Sequence, residues 1–151
     1  MALKPGVGPR DVTGAMKHAA AVLACRSAPL ATAYCDQLCE AFALVAEGLR
    51  GGDVLGALVA FEDAMVPMEK LLVFAVIADD LLRSAQHPLR IDLGRFVGAL
   101  RRGLDRIEEA IHARDAVVFV QELETTVVPA LEGYAEFGGR VATALQPRLA
   151  A

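Results

Sequence analysis

Between Gly52 and His87 apolar residues recur at intervals of three and four, through Val54, Leu58, Phe61, Met65, Met68 and Leu72. That is the period of an α-helix and not of a strand. From Leu71 to Ile77 no charged residue interrupts the run, so a helix there is apolar all round and needs cover from neighbours on both sides. The stretch reads as the central helix of a bundle, bent or interrupted at Pro67.

The flanking segments carry the same period. Residues 1–10 form a Pro- and Gly-rich leader, and helix begins at Asp11 or Thr13, either of which can cap free amides. It runs to about Arg26, where Ser27-Ala28-Pro29 supplies a second cap and a first-turn proline. The chain either kinks there or breaks, and a break leaves an extra N-terminal helix. From Leu30 to Leu49 one face collects Tyr34, Leu38, Phe42, Val45 and Leu49. Gly51-Gly52 ends that helix, and Asp53 caps the next.

His87-Pro88 stops the central helix. Asp92 is then the expected cap of a helix whose Leu93, Phe96, Val97, Leu100, Leu104, Ile107 and Ile111 share a stripe about 100° wide. After Ala113, V-V-F-V and T-T-V-V favour strand locally. They show no strict alternation, and a lone strand would have no partner, so helix is assigned from about Asp115. It continues past Pro129 through Leu131, Tyr134, Val141 and Leu145, although Gly133 and Gly138-Gly139 weaken it by about 1 kcal/mol each. The chain thus predicts one all-α domain over 11–146 and a tail at 147–151. Its architecture is an up-down bundle of four main helices, two of them bent at proline.

A shift of 62 residues sets Phe61-Glu62 on Leu123-Glu124 and Met65-Val66-Pro67 on Val127-Val128-Pro129. Leu55 and Leu58 fall on Val117 and Val120. Two helical hairpins stacked on each other would produce that match, as would chance.

Composition narrows the function classes. A chain of 151 residues is the size of one domain and can bury a core without disulfides. Much of its 55% hydrophobic content is alanine, which favours helix more than it adds apolar bulk. A net charge of −4, 5% aromatics and no tryptophan oppose nucleic-acid binding. The arginines 101, 102 and 106 are interleaved with Asp105, Glu108 and Glu109, as on a solvated helix face. Prolines and glycines break up the N-terminus where a signal peptide needs an apolar run. Leu71 to Ala78 is far shorter than the roughly 20 residues of a membrane span. A cytoplasmic location is the expectation, and three cysteines, Cys25, Cys35 and Cys39, are no disulfide framework.

Candidate chemistry is sparse. A di-iron bundle site needs two inward Glu-x-x-His strings. The chain has one, Glu109 to His112, and Glu109 lies about 160° from the apolar stripe. Cys35 and Cys39 stack one turn apart. With Met65 and Met68 they could form a soft-metal pocket, or they are core residues. Neither the three histidines nor Gly6-Val-Gly8 has the spacing of a catalytic or phosphate-binding motif. Glu62, Glu69 and Asp80 run along the central helix beside apolar positions, where carboxylates can bind a cation, pair across a dimer or mark the solvent seam.

The sequence therefore predicts an interaction, accessory or regulatory protein, homo-oligomeric and most simply dimeric, with no cofactor and no catalytic residue indicated. The alternatives are a ligand cavity near the Pro67 and Pro129 bends, contacted by Glu62, Glu69, Glu124 and Tyr134, and a metal site at Cys35 and Cys39.

Overall fold

The computed structural model describes residues 9–146, with side chains described from residue 14. Four long helices follow one another: α1 (Pro9–Arg50), α2 (Val54–Ser84), α3 (Leu89–His112), and a fourth made of α4 (Ala116–Glu122), a π-helical turn (Leu123–Val127) and α5 (Val128–Leu145). They form an up-down bundle in which α1 packs on α2 and α5, and α3 packs on the fourth helix and α2. No strand occurs among the described residues, and no helix there is long and apolar enough to cross a membrane. Residues 1–8 of the expected leader and the tail at 147–151 lie outside the described residues.

Each core seam is spaced by threes and fours. On α1 it is Ala21, Ala24, Ala28, Ala31, Cys35, Leu38, Phe42, Val45 and Leu49. On α3 it is Leu89, Leu93, Phe96, Leu100, Gly103, Ile107 and Ala110. This is the packing period of left-handed bundles. The seam through α1 explains why no break occurs at Ser27-Ala28-Pro29. Pro29 is exposed while Ala28 and Ala31 are buried, and packing on both sides outweighs the roughly 3 kcal/mol that an interior proline costs. Among the described residues there is accordingly no separate N-terminal helix, and Asp11 and Thr13 lie within the span of α1. Likewise α2 runs without interruption past Pro67. Asp92 is not a cap either, because α3 starts at Leu89 behind Pro88 and Asp92 sits in its first turn.

The three turns between helices share one construction. Gly52, Gln86 and Arg114 take left-handed φ values of 84°, 54° and 56°. The next residue's N–H returns to a carbonyl five positions back: Asp53 to Gly48, His87 to Leu82 and Asp115 to Ala110, each at 2.9 Å. This is the Schellman closure. A side chain of that same residue then holds the following segment. Asp53 accepts from Gly56 N–H at 3.1 Å, His87 Nδ1 from Leu89 N–H at 3.2 Å, and Asp115 from Val118 N–H at 3.1 Å.

The first and third turns, with their caps, are 62 residues apart, so the internal repeat is present in the backbone. Its core register then changes. Ala57 and Phe61 correspond to Phe119 and Leu123 at a shift of 62. Beyond that, Ala64, Met68, Leu71, Ala75, Ala78 and Leu82 correspond to Val127, Leu131, Tyr134, Gly138, Val141 and Leu145 at a shift of 63. The π turn holds the one extra residue. Its widened bond runs from Val128 N–H to Leu123 C=O, and it relieves the crowding that the ring of Pro129 creates one turn back. The sequence match of Pro67 with Pro129 is therefore displaced by one residue in the packed core.

Candidate functional site

The outward side of the α1–α2 hairpin is unusually apolar. Leu23 and Leu30 lie seven residues apart on α1, and Val59, Val66 and Val73 fall every seven residues on α2, all exposed. Seven-residue spacing keeps side chains in line along a helix, so each helix carries a second stripe besides its core seam. Leu23, Leu30, Val66 and Val73 are 51% to 59% exposed. Between the two stripes runs a groove of about 440 Å³ lined by Leu23, Leu30, Tyr34, Val66, Val73 and Ile77, with Glu69 and Lys70 also along it. The cover expected on both faces of Leu71 to Ile77 is thus supplied on one: Leu71, Phe74 and Ala75 are buried, while Val73 and Val76 face out.

The sequence-predicted site residues do not assemble into one place. Glu62 is exposed on α2, Pro67 is half-buried there, and Glu69 edges the groove. Glu124 is exposed near the α1–α2 turn and pairs with Arg50. Tyr134 is fully buried, stacked near Phe96 and Phe137 with ring centroids 5.0 and 5.1 Å away, and its hydroxyl has no hydrogen-bond partner among the described residues. It does not line the α1–α2 groove.

Among the described residues no three His, Cys, Asp or Glu side chains converge as metal ligands do. Cys35 lies in the core and Cys39 at its margin, both as free thiols. Burial, then the neighbouring Cys39 and Asp36, pushes the Cys35 thiol up to about 12. Burial, followed by Glu132 and Asp36, raises Cys39 as well. Metal binding and nucleophilic reactivity both need the thiolate, and these surroundings oppose it. The folded form therefore holds the Cys35 proton through the range above the ordinary value of 9.0. Its contribution to stability is complete below that value and is lost as pH rises toward 12. The expected result is that Cys35 resists alkylation at neutral pH until urea unfolds the chain; rapid labelling in the folded state, located by peptide mass, would refute its burial.

One polar cluster has no counterpart in the sequence pattern. Glu122, 8% exposed, is gripped by Arg106 Nη1 at 3.2 Å and by the Thr126 hydroxyl at 3.0 Å. The helical period alone points at Glu124 as readily as Glu122. Glu122 closes α4, one turn after buried Phe119, whereas Glu124 lies inside the wide turn and is exposed.

Comparison of the chain with protein-family models, with curated proteins and with solved structures finds no match in any of the three.

Proposed function

We propose that this chain is an interaction protein that works by presenting the outward face of the α1–α2 hairpin to another helical surface, in a partner protein or in a further copy of itself. The observation that supports this most is the pair of apolar rows, Leu23-Leu30 and Val66-Val73, exposed along one groove. A contiguous exposed apolar face marks association sites. Their seven-residue spacing is the one that interlocks with a helix.

The reading is tested with a photo-crosslinking amino acid placed singly at Leu30, Val66 or Val73 in cells of the source, with Ile91 and Val117 as exposed apolar controls on other faces. Discrete adducts of defined mass at the three face positions, without them at the controls, are expected. Equal labelling at all five positions, or none at the face, would overturn the proposal.

A further inference from the structure

Of the three turns of one construction, only the middle one is held by a group that changes charge near neutrality. Asp53 and Asp115 cap the first and third, and His87 caps the second. An aspartate side chain is an acceptor throughout the neutral range, whereas a histidine ring gains a proton between about pH 8 and pH 5. His87 is also the joint between the two hairpins. Its N–H returns to Leu82 C=O at 2.9 Å, its C=O accepts from Arg90 N–H at 3.2 Å, and its Nδ1 accepts from Leu89 N–H at 3.2 Å. Leu89 opens the core seam of α3 and is buried.

A backbone N–H only donates, so Nδ1 of His87 presents a lone pair to Leu89 and the ring's hydrogen sits on Nε2. His112, at the other end of α3, holds the opposite tautomer, because its Nδ1 lies 2.8 Å from Glu108 C=O, which only accepts. A proton added to His112 goes to Nε2 and leaves that bond in place. One added to His87 goes to Nδ1 and turns the acceptor into a donor facing Leu89 N–H. The folded turn thus loses a bond on taking the proton and the unfolded chain loses none. This contribution to stability is present above the histidine range and is lost as pH falls through it. The elements that share a hollow with the ring are α3 and α5, and the charged side chains they bring, Asp92 and Arg140, are of opposite sign. Nearby in the chain, Arg83 is paired with Asp79, and Arg90 is exposed. We infer that the α2–α3 turn is a proton-responsive joint: protonation of His87 releases Leu89 N–H and loosens the first turn of α3, while the two Asp-capped turns at the opposite end of the bundle stay closed.

Side-chain nitrogen NMR of the full chain at about pH 8 is expected to place the ring hydrogen on Nε2 of His87 and on Nδ1 of His112. Hydrogen on Nδ1 of His87 overturns the proposal. Amide exchange, corrected for its intrinsic pH dependence, is expected to lose about fivefold in protection at Leu89 N–H between about pH 8 and pH 5.5, relative to Gly56 and Val118 N–H under their aspartate caps. A parallel change at all three amides overturns it. His87→Asn keeps a neutral acceptor in both conditions, so its melting temperature is expected to gain about 2–4 °C on that of the full chain between about pH 8 and pH 5.5. A difference between the two proteins that is the same at both pH values also overturns the joint. The tautomer and exchange readings need no variant, and they decide the matter if His87→Asn does not fold.

Discussion

Deleting Thr125 leaves a folded bundle, whereas deleting Val73 abolishes cooperative folding; these are the expected results, and the contrast comes from where each chain segment keeps its core seam. In the fourth helix the buried positions Phe119, Leu123, Val127 and Leu131 are spaced by four three times in succession. On a regular helix that spacing drifts by about 120° and would carry Leu131 off the core. The π turn absorbs one residue and cancels most of the drift. Removing exposed Thr125 shortens the Leu123–Val127 step to three and turns the whole seam into alternating fours and threes, as on α2. The hydroxyl bond from Thr125 to the Gln121 carbonyl, 2.7 Å long, is lost, and Pro129 returns to a regular helix at a cost of up to about 3 kcal/mol. Pro29 and Pro67 already sit in such helices. Val73 is just as exposed, but no surplus residue surrounds it. Its deletion rotates Phe74, Ala75, Ala78, Leu81 and Leu82 about 100° away from the core. Removing a large apolar side chain from a core costs about 2–5 kcal/mol, and several move together here, against a total of about 5–15 kcal/mol for a domain. Urea unfolding followed by circular dichroism separates the two. A Thr125 deletion without a cooperative transition would disprove the surplus-residue account.

That extra residue also marks the limit of what the linear pattern conveys. Periodicity locates the helices, the glycine pair and His87-Pro88 locate two turns, and the 62-residue shift exposes the pairing of hairpins, because each depends on local spacing and turn chemistry. Arg114 is a silent position: a left-handed φ at a non-glycine residue leaves no residue-type signal. The prolines mislead in the opposite way. Three look alike in sequence, yet Pro29 and Pro67 lie within α-helix and Pro129 follows a π turn, since the neighbouring seam decides whether a wide turn is needed. Small core residues escape the pattern for a similar reason. Gly103 and Ala110 carry the α3 seam, while Val97, Leu104 and Ile111, which stand out by their apolar bulk, are half-buried on its flanks. The outward stripes are visible as excess hydrophobicity on α2. Which side of α2 stays uncovered depends on how α1 and α3 pack against it.

Gly103 is where the extra residue and the bundle meet, and its replacement carries the second large effect. A Cβ there would lie 2.6 Å from Val127 Cγ2 and 3.2 Å from Thr126 Cγ2, both in the π turn. Val127 is fully buried, and its β-branched side chain has little freedom at χ1, so neither atom can retreat cheaply. Gly103→Ala is expected to destabilise the protein by about 1–3 kcal/mol, although alanine favours helix over glycine by about 1 kcal/mol. Gly94, on the outer side of the same helix with nothing within 4 Å of an added methyl, supplies the control, and its alanine variant should gain about 0.5–1 kcal/mol. If the wide turn is what presses on α3, the penalty at Gly103 should differ in the Thr125 deletion by a coupling of about 0.5–3 kcal/mol. Urea midpoints of the two single variants and their combination measure that difference. Strict additivity would mean that the close approach belongs to the helix pair as a whole and not to the turn.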